Sequence, residues 1–221
     1  MFGPDAGASP GSRVVVDEST ADAMAEAEPR HRVAVVGDSL VEFAELGSPL
    51  RPDTTPTRRF SQAGADQDWR LQVVGHHGWT TSDLLADIRR LGQTTEAVVV
   101  VAGSNDAARL ATGQATPTEV QDWIGDALDA LADVRCVVWA NVTTTAPTIY
   151  WPTPQAPETV NAILGAEAAR RPNLQILEWA ATAAGPGLLL NDGLHHTVAG
   201  EARMVHDLVT ATADCLRTLP V

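Results

Sequence analysis

Positive charge is scarce in this chain. Lys and Arg together number 15 against 28 Asp and Glu, a formal net charge of −13 at neutral pH. A nucleic-acid binder needs a basic face to neutralise phosphates, so nucleic acid is not an expected partner, and neither is an anionic membrane surface. Cysteine is scarcer still, with two residues, too few for a disulfide framework. Cys136 falls in an apolar run and Cys215 in a late helical pattern, which reads as two buried thiols in a reducing compartment and hence a cytoplasmic protein. Aromatic residues make up only 5% of the chain, so aliphatic side chains and alanine must build the core. Long hydrophobic runs are missing: no window approaches the ~20 apolar residues of a transmembrane helix. The first thirty residues have neither a basic start nor an apolar stretch, so they do not read as a secretory signal.

What is present is enough for one sizeable domain: 221 residues, 44% of them hydrophobic. Residues 1–31, rich in Gly, Pro, Ser and acidic side chains, read as a flexible acidic arm, interrupted only by Val14-Val15-Val16, which could dock it. From residue 32 to 221 short apolar runs alternate with amphipathic stretches, with no internal repeat. The strand candidates are "RVAVV" (32–36), "LQVVG" (71–75), "AVVVVAG" (97–103), "VRCVVWA" (134–140) and "LQILEW" (174–179). Four are nearly continuous in Val, Ile and Leu, as in strands covered on both faces. Helix candidates cover 80–91, 116–131, 157–171 and 197–216. In the second of these, Thr116 and Glu119 form a capping box around Pro117. The alternation specifies an α/β fold, a mainly parallel five-stranded sheet between two layers of helices.

Ligands in such sheets bind beyond the carboxyl ends of the strands. Those ends read "GDS" (37–39), "GHHGWTT" (75–81) and "GSND" (103–106), with a late "NDGLHHT" at 191–197. Acyl transfer needs what they hold. A serine hydroxyl is a poor nucleophile until a base takes its proton. His195 can be that base for Ser39, and Asp192, three residues earlier, can fix its tautomer. The oxyanion of a tetrahedral intermediate needs preplaced donors. The backbone N–H groups of Ser39 and Gly78 and the side-chain amide of Asn105 are the candidates, Gly78 because no Cβ blocks close approach.

The ordered blocks "VVGDSL" (35–40), "GHHGWTT", "VAGSND" (101–106) and "DGLHHTVAG" (192–200) resemble the SGNH, or GDSL-type, hydrolases. The resemblance spans most of the chain after the arm. It implies a flavodoxin-like three-layer fold, Ser39 as nucleophile, Asp192 and His195 as the rest of a triad, and Ser39, Gly78 and Asn105 as an oxyanion hole; separately, no cofactor or metal is expected. Two positions depart from the family's pattern: His76-His77 stand before Gly78 where an asparagine is frequent, and His196 follows His195 where proline is frequent. Neither removes a catalytic group. The serine lacks the G-x-S-x-G elbow of α/β-hydrolases, and the first turn lacks the G-x-G-x-x-G of dinucleotide folds.

Each residue also has a plainer role. Ser39 could cap the helix that starts near Leu40, Asn105 could cap the one after "GSND", and Asp38 and Asp106 could brace their turns. No Cys or carboxylate sits at zinc spacing beside the histidine pairs, so His76 and His77 are expected to line the cleft or face solvent. Trp123, Trp139 and Trp179 fall in regular patterns and are expected in or near the core. Trp79, Tyr150 and Trp151 are the candidates for a substrate wall, and the irregular segments 47–57 and 141–157 for specificity loops. The expected activity is hydrolysis of a small O-acyl ester, an acetylated molecule or sugar among the options. The stretch "VWANVTTTAPTIYWPTPQAPETVNAIL" also looks like the soluble domains joined to membrane O-acyltransferases, which keeps transfer to an acceptor hydroxyl as the alternative. A non-catalytic binding protein is the third. An anionic substrate would need local arginines, such as Arg58 or Arg59, to offset the acidic field.

Overall fold

The computed structural model describes residues 14–16, 31–51 and 56–218. Apart from Val14–Val16 and His31, the acidic arm expected over 1–31 therefore lies outside the described residues. Six strands form one sheet: β1 (Val14–Val16), β2 (His31–Gly37), β3 (Trp69–Gly75), β4 (Ala97–Val101), β5 (Cys136–Ala140) and β6 (Leu174–Leu177). Their order is β1-β3-β2-β4-β5-β6. Strands β2 to β6 are parallel and correspond to the five expected from the sequence. The sixth is an addition, as Val14–Val16 pair antiparallel with Val73–Gly75 at the sheet edge.

Among the described residues eight helices lie between and after the strands: α1 (Ser39–Leu46), α2 (Arg59–Asp66), α3 (Thr81–Gly92), α4 (Ser104–Ala111), α5 (Pro117–Asp129), α6 (Gln155–Ala168), α7 (Trp179–Ala183) and α8 (Val198–Thr218). Because side chains alternate along a strand, the valines feed two cores. One contains Ala34, Val36, Val98, Val100 and Trp139 against Leu84, Ile88, Ile124 and Leu164 of α3, α5 and α6. The other contains Val33, Val35, Val99 and Val138 against Val41, Phe60, Met204 and Leu208 of α1, α2 and α8. Each fully buried valine contributes about 1.5–3 kcal/mol, so this double-sided apolar run is what commits the chain to three layers. The capping box at Thr116 and Glu119 forms, and a second forms at Thr80 and Asp83.

The cysteines correct the sequence reading. Cys136 on β5 and Cys215 on α8 form a disulfide. The two residues are 79 apart in sequence, and only the packing of α8 onto the sheet brings them together. Structural disulfides persist in oxidising environments, so these cysteines no longer argue for a reducing compartment. Among the described residues no helix is long and apolar enough to cross a membrane.

Candidate active site

Two glycines explain why the valine run of β2 ends where it does. A Cβ on Gly37 would lie 2.3 Å from the Val101 carbonyl oxygen, and one on Gly75 would lie 2.5 Å from the Glu42 backbone nitrogen. These two residues are register partners on neighbouring strands, so α1 can start directly above the sheet only because both lack side chains. The Asp38 N–H then donates to the Val101 carbonyl at 3.0 Å, and the His76 N–H to the Gly37 carbonyl at 3.0 Å. Three strand ends are thereby tied into one platform.

Asp38, not Ser39, caps α1. Its side chain accepts from the Leu40 N–H at 3.0 Å. Ser39 is the first helical residue, in the turn where backbone N–H groups have no intrahelical acceptor. Its side chain is free for another partner, and finds one. Ser39 Oγ lies 3.0 Å from His195 Nε2, and His195 Nδ1 lies 2.7 Å from Asp192 Oδ2. The carboxylate can only accept, so Nδ1 carries the hydrogen and Nε2 is left to accept from the serine hydroxyl.

The Asp192 turn builds this geometry locally. Asp192 Oδ1 accepts from the N–H groups of Leu194 and His195, each at 3.0 Å, and Gly193 takes a positive φ of 72° between them. Burial acts to raise the Asp192 pKa, but these N–H donors and the His195 ring outweigh it and hold the carboxyl below its usual range. Phe43 and Tyr150 flank the imidazole, with ring centroids 5.3 and 5.9 Å away. The Tyr150 hydroxyl is 3.5 Å from Nδ1, too long for a strong bond.

Gly78 sits at φ +78°, and a Cβ there would meet nothing within 4 Å. Asn105, in the first turn of α4, donates from Nδ2 to the Trp79 carbonyl at 2.8 Å, and the same nitrogen lies 3.5 Å from Asp38 Oδ2. One amide hydrogen thus clamps the 76–79 turn, and the other has only the long contact to Asp38. Beneath it lie two buried acids. Burial, with the charge of Asp106 adding, raises the Asp38 carboxyl to about 7. Burial likewise raises Asp106 to about 6, against hydrogen bonds from Thr81 that lower it.

Several expectations change. Trp151 is fully buried and donates its indole N–H to the Thr145 carbonyl, so it belongs to the core and not to a substrate wall. The loop is held there by Thr148, whose hydroxyl accepts from the Trp151 N–H at 3.0 Å, while Asn161 pairs with both backbone polar groups of Val142 at the loop's start. His76 is buried against Asp87 at 3.1 Å under a stacked Trp79, 3.8 Å between centroids, and lines neither cleft nor solvent. His77 does face solvent, next to Glu42. Trp139 and Trp179 are buried and Trp123 half-buried, as expected. Arg59 is committed to an ion pair with Glu201. Phe43 was not anticipated, although its place four residues after Ser39 puts both on one helix face.

The site presents a hydroxyl, an imidazole and an ionised carboxylate in one hydrogen-bonded line at the carboxyl edge of a parallel sheet, the arrangement of a serine hydrolase. The chain belongs to the GDSL-like lipase/acylhydrolase family, whose model matches residues 35–203. Membership makes it an enzyme of the esterase/acylhydrolase class. Solved structures of similar fold include a lipase/acylhydrolase from Enterococcus faecalis, with TM-score 0.67 and 16% identity over 84% of this chain and 96% of that one. TesA gives 0.62 and 21% over 83% and 99%. A catalytic mutant of Axe2, an acetylxylan esterase from Geobacillus stearothermophilus, gives 0.64 and 14% over 84% and 95%. At these identities the likeness is one of fold. No curated protein sequence matches the chain.

Proposed function

We propose that the chain hydrolyses esters of short acyl groups through an acyl-enzyme on Ser39. His195 Nε2 takes the hydroxyl proton as Oγ attacks the carbonyl, and Asp192 steadies the imidazolium. The tetrahedral oxyanion is received by the N–H groups of Ser39 and Gly78 and by the second amide hydrogen of Asn105. His195 then protonates the departing alcohol, and a water molecule activated by the same ring releases the acid. The unbroken chain Ser39 Oγ, His195, Asp192, with links of 3.0 and 2.7 Å, carries this reading.

The short acyl group follows from space. Two small pockets flank Leu40, the residue after the nucleophile. One of about 280 Å³ is lined by Val101, Ala140, Val142 and Trp179, and one of about 190 Å³ by Phe43, Ser48 and His195. Both figures include space open to solvent, so the enclosed room left for an acyl group is small. An acetyl ester suits them, and the acetylxylan esterase of similar fold is in keeping with that choice. Tyr150 and Trp79 remain the aromatic candidates at the rim.

The test is labelling of Ser39 by a fluorophosphonate together with acid release from p-nitrophenyl acetate. Ser39→Ala is expected to abolish the label and lower turnover by ~10³-fold or more. Activity in Ser39→Ala equal to wild type would refute the assignment. Turnover should also fall steeply from acetate to octanoate esters. Partitioning of product between acetate and an acetylated acceptor alcohol separates hydrolysis from transfer.

A further inference from the structure

The turn that carries Gly78 is tied down from four elements. The His76 N–H donates to the Gly37 carbonyl of β2 at 3.0 Å, and the His76 ring meets Asp87 of α3 at 3.1 Å. Asn105 of α4 donates to the Trp79 carbonyl at 2.8 Å. The fourth tether comes from α1, the helix that Ser39 opens. Glu42 Oε2 accepts from the His77 backbone N–H at 2.6 Å, a short, charge-assisted bond. The two Glu42 oxygens also face His77 Nδ1, at 3.1 and 3.3 Å. An ionised carboxylate can only accept, so this ring nitrogen carries a hydrogen.

Glu42 is only 8% exposed. Burying a carboxylate costs free energy unless its oxygens are hydrogen-bonded, and here both are turned to one residue of one turn. The backbone beneath fixes their aim. A Cβ on Gly75 would lie 2.5 Å from the Glu42 nitrogen and 2.7 Å from its Cα, so α1 rests on the last residue of β3 at this point. Three residues apart on a helix, Ser39 and Glu42 share one face. A single turn of α1 therefore holds the nucleophile, its N–H and the anchor of the neighbouring turn. Residue 77 is held at its N–H and Trp79 at its carbonyl, and the Gly78 amide lies between them. Because a trans peptide is rigid, fixing both neighbours fixes where that amide points.

We infer that Glu42 is a positioning residue: by clamping the His77 N–H it sets the Gly78 donor relative to the Ser39 donor, so that both serve one oxyanion. This rests on the proposed esterase reading and adds to it a side chain outside the triad and outside the donor set. Glu42 touches no reacting atom. It acts through alignment, and a displacement of about 1 Å can cost ~10² in rate. The hydrogen bond carries the role, and the charge does not. A negative charge near an oxyanion opposes it, and the His77 ring, which donates to the same carboxylate, offsets that charge. The two histidines before Gly78 thereby receive distinct tasks, His76 packing under Trp79 and His77 engaging α1.

The experiment compares Glu42→Ala with Glu42→Gln on p-nitrophenyl acetate, with rates expressed per active site counted by fluorophosphonate labelling. Counting sites removes any loss of folded enzyme from the result. Glu42→Ala should lower kcat by ~10–10²-fold and change KM by no more than about threefold. Glu42→Gln keeps an acceptor for the His77 N–H and should recover most of that loss. Should Glu42→Ala not fold, Glu42→Asp, one methylene too short to reach, takes its place with the same expected direction. The inhibitor 1,1,1-trifluoroacetone reports on the oxyanion itself, because Ser39 Oγ adds to its carbonyl carbon and leaves a negative oxygen for the same donors. Its Ki should rise in Glu42→Ala by about the factor by which kcat falls. A lowered Tm with unchanged kcat and Ki overturns the inference, and so does a Gln variant as impaired as the Ala variant. Hydrogen exchange of the His77 amide, followed by NMR, tests the clamp without turnover. This amide should be protected in the wild type and in Glu42→Gln, and exchange about tenfold faster or more in Glu42→Ala. If that pattern is seen but the wild type hydrolyses no ester, the esterase reading fails and the catalytic role of the clamp falls with it. If Ser39-dependent hydrolysis survives intact in Glu42→Ala, the inference alone fails.

Discussion

Asp192 and Asp38 are the same residue type, both linked to Ser39, yet their surroundings drive them in opposite directions. Asp192 receives two backbone N–H groups and an imidazole N–H, and its carboxyl is held below the usual range. Asp38 receives the Leu40 N–H but is completely buried beside a second acid, and its carboxyl rises to about 7. Ionised, the first can balance a positive imidazole. The second, near neutral pH, is partly protonated and carries less negative charge beneath the proposed oxyanion site. An oxyanion hole next to a fully charged carboxylate would work against itself, so the burial that raises Asp38 favours the chemistry.

The largest expected effect comes from removing the charge that defines one side of this contrast. Asp192→Asn presents an amide that can donate to Nδ1 and so favours the wrong tautomer. Turnover of p-nitrophenyl acetate should drop by ~10³–10⁴-fold with little change in KM. A loss under tenfold would mean that the two aspartates are not functionally distinct. Next in size is Asn105→Ala, on the other side. It removes both the clamp on the Trp79 carbonyl and the proposed donor, and should cost ~10²–10³ in kcat. Gly78→Ala separates these roles, because its Cβ has space but its φ of +78° is strained, so the turn shifts while the amide of Asn105 remains.

The contrast also shows what the sequence could disclose. The five parallel strands were legible because burial on both faces leaves an uninterrupted valine pattern that needs no partner to be read. The Asp192–His195 pair was legible because both lie in one turn. What was hidden depended on distant segments. Cys136 and Cys215 meet only through the docking of α8, so thiol and disulfide look alike in sequence. Trp151 sits in an irregular stretch and is held by Thr145 and Thr148, and neither periodicity nor neighbours announce it. Asp38 outcompetes Ser39 as the helix cap by one residue, a distance below what cap patterns resolve. Arg51 is followed at once by Pro-Asp, and its buried partner Glu201 lies 150 residues away.

A smaller effect is expected at Tyr150. Its hydroxyl is 3.5 Å from a nitrogen that already donates to Asp192, so Tyr150→Phe should change kcat by no more than about threefold, as befits the loss of a weak contact. A fall comparable with that of Asp192→Asn would show that the hydroxyl helps to orient the dyad, and that Asp192 is not sufficient on its own.

The smallest change in rate, and the clearest change in pH response, is expected from Asp38→Asn. Asparagine keeps an acceptor for the Leu40 N–H but does not titrate. In the wild type the folded carboxyl binds its proton up to about pH 7, whereas the unfolded one releases it near its ordinary value of 3.8. Between those limits the folded state holds more protons, so this group's contribution to stability falls as pH rises, by up to about 1.4 kcal/mol per pH unit. Asp106, raised to about 6, adds a second slope of the same sign over the lower part of the window. Asp192 works the other way, its stabilisation being lost only as pH falls through a folded value below the usual range. Denaturation midpoints measured from pH 4 to 7 should therefore decline in the wild type and decline less in Asp38→Asn, with the Asp106 slope remaining. Parallel lines for the two proteins would show that Asp38 is already ionised at pH 4 and that the two aspartates differ less than their surroundings imply.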